Sequence, residues 1–169
     1  GPGATNLLTG IASAYMDSIP LVVITGQVRS DLLGRDVFQE ADITGAAEPF
    51  TKHSYIVKRA ADIPQIFKEA FHIASTGRPG PVLIDVPIDM QQHSFSNFTY
   101  DKPVDIIGYK PRIQGHSLQV RKAVEALAAC KRPVLCAGGG VFSADAQKEL
   151  AAFVEKYHMP TVTTMMGIG

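Results

Sequence analysis

The sequence predicts an α/β fold built on parallel sheets. Continuous apolar runs rich in β-branched residues occupy 20–26 and 81–87, and each is bounded by proline or glycine, as is typical of strands buried on both faces. A pattern of helical period lies between them at 62–77. Because the order strand, helix, strand needs a crossover, it favours a parallel sheet. The same alternation begins again after residue 116, which predicts the start of a second α/β unit.

The composition predicts a folded globular chain. Of 169 residues, 46% are hydrophobic and 19% are charged, which fits one domain or parts of two. Basic and acidic residues both number 16, so charge gives no case for a nucleic-acid or acidic-membrane partner. The apolar runs are too short to span a bilayer. We expect Cys130 and Cys136 to be buried, reduced thiols, as in a cytosolic protein.

The sequence opens on a rigid glycine–proline turn that leads into a helical pattern. Gly1 and Gly3 lack a Cβ, so a ligand or another chain can approach the backbone there. Thr5 or Asn6 is predicted to cap the helix, whose first amides favour polar or anionic groups. A loop of this kind without a strand before it suggests a section of a larger protein. The predicted buried face consists of Leu8, Ile11, Ala12, Tyr15 and Met16.

The next elements are a short strand at 54–57 and a well-marked helix. Asp62 is predicted as its N-cap, Gln65 completes a capping box, and Pro64 is tolerated in the first turn. Gly77 ends the helix. Its predicted inward face consists of Ile63, Ile66, Phe67, Ala70, Phe71 and Ala74.

Two stretches have no clear period. Residues 27–49 are long for a structureless connection, so we expect them to be functional or to contain a short helix. Residues 92–116 are polar and punctuated by proline and glycine, which predicts an interdomain linker on the surface.

In the second unit, Ser117 is predicted to cap a helix and 133–137 to form a strand. A glycine triplet at 138–140 forms a loop, 143–157 a helix and 160–163 a further strand. The residues predicted to point inward from the two helices are Val120, Val124, Leu127 and Ala128, then Leu150, Phe153 and Val154.

Two glycine-containing loops are predicted at one edge of that second sheet. The triplet 138–140 follows a strand and precedes a helix, where a doubly wound sheet binds a phosphate-bearing ligand. It is not a GxGxxG motif, so a structural turn is an equal alternative. The loop 163–169 leaves the next strand at the same edge, which favours a dinucleotide-like site. Met165 and Met166 suit a flat ring system, with core or interface packing as the alternative.

Arg78 lies in a rigid glycine–proline turn at 76–81. Its guanidinium suits a phosphate or carboxylate, and an exposed arginine in a tight turn is the alternative. The sequence contains no Ser-His-Asp order, no metal-ligand cluster and no Walker loop, and its five histidines are scattered.

Two short motifs carry weaker signals. Phe38-Gln39-Glu40 sets an aromatic ring beside an amide, which can flank a small polar substrate. Lys52-His53 is an equally weak candidate when only its neighbours in sequence are considered.

Taken together, the motifs resemble one family. They run in collinear order as GPGATN at 1–6, AYMDSIPL at 14–21, TGQV at 25–28, FQE at 38–40, TKH at 51–53, STGRPGPV at 75–82, GGG at 138–140 and MGIG at 166–169. In this order and spacing they resemble the large, catalytic subunit of acetohydroxyacid synthase (acetolactate synthase), a thiamine-diphosphate-dependent enzyme.

The resemblance implies an internal fragment of that subunit. Residues 1–92 would be the C-terminal part of the pyrimidine-binding domain, 93–116 a linker, and 117–169 the N-terminal part of a Rossmann-like, FAD-binding central domain. The implied reaction decarboxylates pyruvate and joins the two-carbon unit to a second 2-keto acid, giving 2-acetolactate or 2-aceto-2-hydroxybutyrate for branched-chain amino-acid biosynthesis.

The resemblance also implies site residues. Phe38 and Gln39 would face the active site, and Gly1, Pro2 and Asn6 would lie near the cofactor's pyrimidine end at a dimer interface. The FAD contacts, which are structural and not redox-active, would be Arg78, Gly138, Gly139, Gly140, Thr164, Met165 and Met166. The Arg-Pro-Gly-Pro turn favours the biosynthetic, FAD-containing branch.

The resemblance implies further partners. The activating glutamate would lie upstream of Gly1 and the Mg²⁺ site downstream of Gly169, so we expect no metal site in this chain and no catalysis by the chain alone. A homodimer or tetramer, a regulatory small subunit and a cytoplasmic location are expected, and a nucleic-acid or membrane partner is not.

Two alternatives stay open at this point. One is another thiamine-diphosphate enzyme, of the pyruvate oxidase or glyoxylate carboligase type. The other is a non-catalytic nucleotide-binding or assembly module, which the glycine triplet and the Met165-Met166 loop would support.

Overall fold

A computed structural model describes residues 1–96 and 98–168, which fall into two compact units, Gly1–Ile113 and Gln114–Gly169. The first unit alternates helices and strands along its length. Its elements are α1 (Pro2–Thr5), α2 (Leu8–Met16), β1 (Leu21–Gln27), α3 (Ile43–Ala47), β2 (His53–Ile56), α4 (Ile63–Ser75), β3 (Pro81–Pro87) and α5 (Ile88–Gln92).

A parallel sheet of three strands forms the centre of the first unit. The strand order is β1-β3-β2, and β3 pairs in parallel with both neighbours, which confirms the predicted parallel α/β arrangement. Strand β3 has the predicted bounds and is buried throughout. Strand β1 is buried only at alternate residues, and Ile24 is 56% exposed. The expectation of burial on both faces is therefore wrong for β1, because this edge strand is covered less than the central strand.

Hydrophobic clusters pack on both faces of this sheet. Because side chains alternate along a strand, successive residues of β3 point to opposite faces. The face covered by α4 holds Val57, Ala70, Ile73, Ala74, Val82, Ile84 and Val86. The face covered by α1, α2 and α3 holds Ala4, Ile11, Val23, Ile43, Ala47 and Leu83.

The amino-terminal helix is divided into two. The predicted cap at Thr5 or Asn6 is wrong, because Thr5 Oγ1 donates back to the Pro2 carbonyl (3.1 Å) and Asn6 ends α1. Helix α2 then begins without a side-chain cap. Of the predicted buried face, Ile11 is buried but Met16 is 70% exposed. The spacing of the apolar residues predicted where the helix lies, but it did not indicate the break between α1 and α2.

Asp62 holds the predicted N-cap position of α4, but the predicted capping bonds do not form. The Asp62 carboxylate pairs with the Arg59 guanidinium (2.7 Å and 2.8 Å) and makes no cap bond, and Gln65 donates to Glu69 instead (2.9 Å). The helix starts where predicted, with proline in its first turn. Phe71, predicted to point inward, is 57% exposed.

Residues beyond α5 pack back onto the first unit. Tyr109 and Ile106 lie against the cluster under α4, and the Lys52 ammonium donates to the Tyr109 hydroxyl (3.0 Å). The first compact unit therefore extends to Ile113. The domain limits at 92 and 117 stay a prediction.

The predicted short helix within 27–49 is α3, and the Asp42 carboxylate caps it by accepting the Gly45 amide (2.8 Å).

The second unit repeats the alternation on a smaller scale. Its parallel pair of strands confirms the predicted second α/β unit. Its elements are α6 (Ser117–Ala129), β4 (Leu135–Ala137), α7 (Gly140–Ser143), α8 (Gln147–Tyr157) and β5 (Thr161–Thr163).

Several details of the second unit differ from the predictions. Ser117 is not the cap, because His116 holds the N-cap position and Ser117 is the first helical residue. The predicted helix 143–157 is broken at Asp145, whose φ is +52°. The predicted inward face of α6 is largely exposed, as Val120 and Val124 show at 55% and 58%, because no described element of this unit covers it.

Both cysteines are unbridged thiols, as expected, but Cys130 and Cys136 are exposed, so the prediction of burial is wrong. Among the described residues, no helix combines the length and apolar character needed to cross a membrane.

Candidate functional site

The first candidate site brings Gly1 and Gln39 together. A Cβ placed on Gly1 would lie 2.5 Å from the Gln39 carbonyl oxygen and 3.0 Å from its Cα. Real side chains do not tolerate such distances, so this contact requires glycine at position 1. Two residues that the sequence placed in separate motifs are therefore in backbone contact.

Gln39 belongs to a folded loop, residues 28–42, that follows β1. Its φ is +62° and that of Asp36 is +54°, both in the left-handed region that non-glycine residues seldom adopt. Such strain persists only where the surroundings enforce it, and it is frequent at functional sites. The neighbouring Phe38 is 89% exposed. The loop thus presents an apolar ring to its surroundings beside an amide side chain.

The Glu40 carboxylate holds the tip of this loop together. It accepts hydrogen bonds from the Val37 amide (3.1 Å) and the Gly34 amide. The Gly34 bond is the main cause that lowers the pKa of Glu40, and the Val37 bond adds to it. Within Phe38-Gln39-Glu40, the glutamate therefore serves the geometry of the loop.

A buried carboxylate lies beneath the loop, at Asp85 of β3, which is 1% exposed. Asp85 pairs in register with Thr25, and residues two apart on a strand share a face, so Thr25 and Gln27 of β1 both reach it. Thr25 Oγ1 donates to one carboxylate oxygen (2.7 Å) and Gln27 Nε2 to the other (2.9 Å). Gln27 also reaches the loop, because Nε2 donates to the Ala41 carbonyl (2.8 Å) and Oε1 accepts the Val28 amide (2.9 Å).

Burial is the largest influence on this carboxyl group and raises the pKa of Asp85, while the hydrogen bonds from Thr25 and Gln27 act in the opposite direction. A buried carboxylate is tolerable only with such donors.

A second carboxylate holds the start of the loop. Asp89 of α5 accepts the Ser30 amide (3.0 Å) and the Ser30 hydroxyl. The hydroxyl bond is the main cause that lowers the pKa of Asp89. None of Thr25, Gln27, Asp85 or Asp89 was predicted as a site residue, although Thr25 and Gln27 lie in the TGQV motif at 25–28. An acidic residue inside the otherwise apolar run 81–87 is the signal that would have drawn attention to Asp85.

The remaining predicted residues of the amino terminus lie near this contact in sequence. Pro2 and Asn6 are exposed at the two ends of α1. Gly3 is exposed between them, and a Cβ there would have no described atom within 4 Å. The outer side of α1 therefore leaves room for a ligand or another chain.

Arg78 lies at the amino-terminal end of the parallel strands, whereas the contact between Gly1 and Gln39 lies at their carboxyl end. It precedes β3, and its Nε donates to Ser18 Oγ (2.8 Å) in the turn before β1, whereas Gln39 follows the carboxyl end of β1. The structure therefore does not bring Arg78 to the contact between Gly1 and Gln39. Ser18 itself has a φ of +59°.

The second candidate site lies in the second unit, at the carboxyl ends of β4 and β5. The predicted placement of the two loops at one edge is confirmed, because the strands are parallel and the Thr164 amide donates to the Ala137 carbonyl (2.9 Å). A Cβ on Gly139 would meet the Met166 carbonyl oxygen at 3.0 Å and its Cβ at 3.1 Å. A Cβ on Gly167 would lie 2.4 Å from the Ala137 carbonyl oxygen.

This second site is formed by backbone. A Cβ on Gly138 would lie 3.7 Å from the Thr164 hydroxyl oxygen, and Gly140 begins α7 at a point where a Cβ would have no described atom within 4 Å. Met165 is 83% exposed. The arrangement offers accessible backbone and an exposed thioether to a flat ligand.

Lys52 and His53 have structural roles in the first unit. Lys52 Nζ donates to the carbonyls of Thr76 (2.6 Å) and Ile73, which are at the carboxyl end of α4. His53 packs edge-on against Tyr55, with ring centroids 4.5 Å apart. In the described part of the chain, no cluster of three or more potential metal ligands occurs.

Comparison with protein families gives two matches. Residues 1–46 match the thiamine pyrophosphate enzyme N-terminal TPP binding domain, and residues 120–169 match the thiamine pyrophosphate enzyme central domain.

Comparison with curated proteins gives similarity along the whole chain. It is 53% identical over 169 residues to the acetolactate synthase large subunit of Corynebacterium glutamicum, covering all of this chain and 27% of the relative. It is 52% identical over 170 residues to the large subunit of Buchnera aphidicola from Schizaphis graminum, and 46% identical to the isozyme 3 large subunit of Escherichia coli; in each case all of this chain and 30% of the relative are covered. The chain thus spans about 30% of the length of these relatives.

Comparison with solved structures gives two further similarities. A putative thiamin diphosphate-dependent enzyme from Mycobacterium smegmatis matches with a TM-score of 0.78 and 25% identity, over 98% of this chain and 31% of that one. Benzoylformate decarboxylase from Polynucleobacter necessarius matches with a TM-score of 0.83 over 97% of this chain and 30% of that one; at 23% identity it bears on the fold alone.

Proposed function

The chain belongs to the thiamine pyrophosphate enzymes, and on that premise we propose that it forms part of the large subunit of an acetolactate synthase. The whole protein would decarboxylate pyruvate and join the two-carbon unit to a second 2-keto acid, which yields 2-acetolactate or 2-aceto-2-hydroxybutyrate. Close similarity along the full chain to proteins of that name carries this proposal.

We propose that the first site contributes to binding thiamine diphosphate and the 2-keto acids. When bound, thiamine diphosphate supplies the nucleophilic carbon of the reaction. Gly1, Pro2 and Asn6 would lie at its pyrimidine end, and the open space beside Gly3 fits such an approach. Phe38 would provide an apolar wall and the Gln39 amide a hydrogen-bonding group for a keto acid. The activating glutamate would come from outside these 169 residues.

We further propose that the second site binds FAD in a structural role. The exposed backbone at Gly140 fits a ligand that needs close approach. Gly138 and Gly139 would lie beside that ligand, and Thr164, Met165 and Met166 would flank its ring system. We also propose Arg78 of the first unit as a residue that binds FAD, and its bond to Ser18 orients the guanidinium. We also propose the division into 1–92, a linker at 93–116, and 117–169.

The same proposal extends to the assembled protein. Mg²⁺ would be bound by residues outside this chain. A homodimer or tetramer, a regulatory small subunit and a cytoplasmic location would accompany the proposed biosynthetic role. The relatives are themselves named large subunits, which supports a smaller partner.

The experiment is an assay of the full-length protein with pyruvate, thiamine diphosphate and Mg²⁺. We expect acetolactate as the product, and flavin absorbance in the purified protein. In parallel assays, acetyl phosphate formed from pyruvate, phosphate and oxygen, or tartronate semialdehyde formed from two molecules of glyoxylate with loss of CO₂, would instead assign the protein to another carboligase or oxidase class. Bound flavin without any turnover would favour the non-catalytic module.

The separate 169-residue chain provides a matched control. We expect it to form no acetolactate with all cofactors supplied, because the proposed activating glutamate and metal-binding residues lie outside it. Turnover by a verified pure sample of this chain would contradict that assignment.

A further inference from the structure

We propose that Gln27, held in place by the buried Asp85, is a positioning residue for the loop that carries Phe38 and Gln39. The inference rests on the proposed function for the role of those two residues, but the anchoring itself depends only on the contacts within the first unit.

The contacts of Gln27 connect a rigid element to the loop. Its Nε2 donates both to Asp85 of the fully buried β3 and to the Ala41 carbonyl near the end of the loop. Its Oε1 accepts the Val28 amide at the start of the loop. One side-chain amide therefore ties both ends of residues 28–42 to the centre of the sheet.

Asp85 sets the orientation of that amide. Both Asp85 oxygens accept hydrogen bonds, one from Thr25 Oγ1 and the other from Gln27 Nε2, so the NH₂ end of Gln27 faces the carboxyl group. The other end of the amide is then directed to the Val28 N–H. If the amide turned over, both its contact with Asp85 and its contacts with the loop would be lost.

Thr25 provides a comparison within the same cluster. It donates to the other oxygen of Asp85 at 2.7 Å, and its hydroxyl contacts no described loop residue in the hydrogen-bond network. Thr25→Val and Gln27→Met each remove one donor from the buried carboxylate without a large change in volume. Both variants weaken the same buried cluster, but only Gln27→Met also removes hydrogen bonds to the loop.

The test measures hydrogen exchange by mass spectrometry in the full-length protein, on peptides that cover residues 28–42 and, as a reference, β3. We expect exchange in 28–42 to become about tenfold faster in Gln27→Met, because the hydrogen bonds to the buried Asp85 carboxyl group and to the Ala41 carbonyl are lost together. In Thr25→Val we expect the loop to exchange as in the wild type. Equal acceleration in the two variants, or none in Gln27→Met, would overturn the anchoring role.

Steady-state kinetics with pyruvate form the second arm. Because the loop loses this anchor, we expect kcat/KM to fall about tenfold in Gln27→Met and to stay within twofold in Thr25→Val. Wild-type kinetics in Gln27→Met would overturn the positioning role even if exchange accelerates. If the wild type itself forms no acetolactate, the proposed function fails, whereas the exchange result still decides whether Gln27 anchors the loop.

Discussion

The two candidate sites differ in what holds their loops in place. In the first unit, Asp89 holds the start of residues 28–42, Glu40 holds the loop from within, and Asp85 acts on it through Gln27. In the second unit, the loops after β4 and β5 meet through backbone, with Gly139 against Met166 and Gly167 against the Ala137 carbonyl. The first site should therefore respond to changes of charge and pH, and the second to added volume at glycine.

The largest effect is expected from added volume in the second site. In Gly167→Ala the new Cβ would lie 2.4 Å from the Ala137 carbonyl oxygen, and because that oxygen belongs to the backbone, the strand must shift. We expect about 3 kcal/mol of destabilisation of this unit, measured by calorimetry of the full-length protein. Gly140→Ala is the control, because its Cβ would meet no described atom within 4 Å. Equal melting temperatures of the two variants would contradict a site held by backbone contact.

A glycine-to-alanine substitution at the first site should destabilise the protein somewhat less. In Gly1→Ala the Cβ would lie 2.5 Å from the Gln39 carbonyl oxygen, and the loop that carries it can give way more easily than a paired strand. We expect about 2 kcal/mol of destabilisation in urea unfolding, together with faster hydrogen exchange in 28–42.

The matched control for Gly1→Ala is Gly3→Ala, which adds the same methyl group on the open side of α1. We expect its free energy of unfolding to change by less than about 0.5 kcal/mol. If Gly3→Ala is as harmful as Gly1→Ala, the contact with Gln39 is not the cause.

The two sites also differ in how well the sequence predicted them. Strand β3 was predicted with its bounds, because a continuous apolar run depends on local composition alone. The loops of the second site were placed on one edge because parallel strands leave no other arrangement. Both predictions needed only residues that are close in sequence or a simple rule of topology.

The first site was predicted less completely, because its support is long-range. Gln27 and Asp85 are 58 residues apart, and nothing in their neighbours shows that the strands carrying them pair in register. The capping box at Asp62 failed for a related reason, since Arg59 competes for the same carboxylate. Local patterns located the motifs Gly1–Asn6 and Phe38–Glu40, but the contact between them follows from the fold.

Lowering the pH should loosen the loop of the first site more than the loops of the second site, with an effect smaller than that of the glycine substitutions. The pKa values of Glu40 and Asp89 are lowered by hydrogen bonds to the loop. Their contribution to loop order is therefore fully present above the ordinary values of 4.5 and 3.8, and it is lost as the pH falls through the lowered values. Burial raises the pKa of Asp85, so its contribution has the opposite sign and is lost as the pH rises through the raised value.

We expect exchange in 28–42, corrected for the intrinsic rate, to become a few-fold faster as the pH falls from about 6 to about 2 and the carboxyl groups of Glu40 and Asp89 are protonated. Peptides covering 138–140 and 164–167 should change less, because no carboxylate among the described residues holds the loops of the second site. The variant Asp89→Ala should accelerate exchange at the start of the loop at pH 6 and reduce its further response to acid. A response to acid that is equal at both sites would remove the distinction between them.

The smallest effect on stability is expected where each site is most exposed. Phe38 is 89% exposed and Met165 83%, so neither side chain contributes much buried area to its own unit. In Phe38→Ala and Met165→Ala we expect the free energy of unfolding to stay within about 0.5 kcal/mol of the wild type.

The functional effects of these two substitutions should differ, because the proposed ligands of the two sites differ. Phe38→Ala should lower kcat/KM for pyruvate about tenfold with flavin content unchanged, and Met165→Ala should lower flavin content. The opposite pattern would exchange the roles of the two sites, and a loss of stability in either variant would mean that these side chains support the fold instead of a ligand.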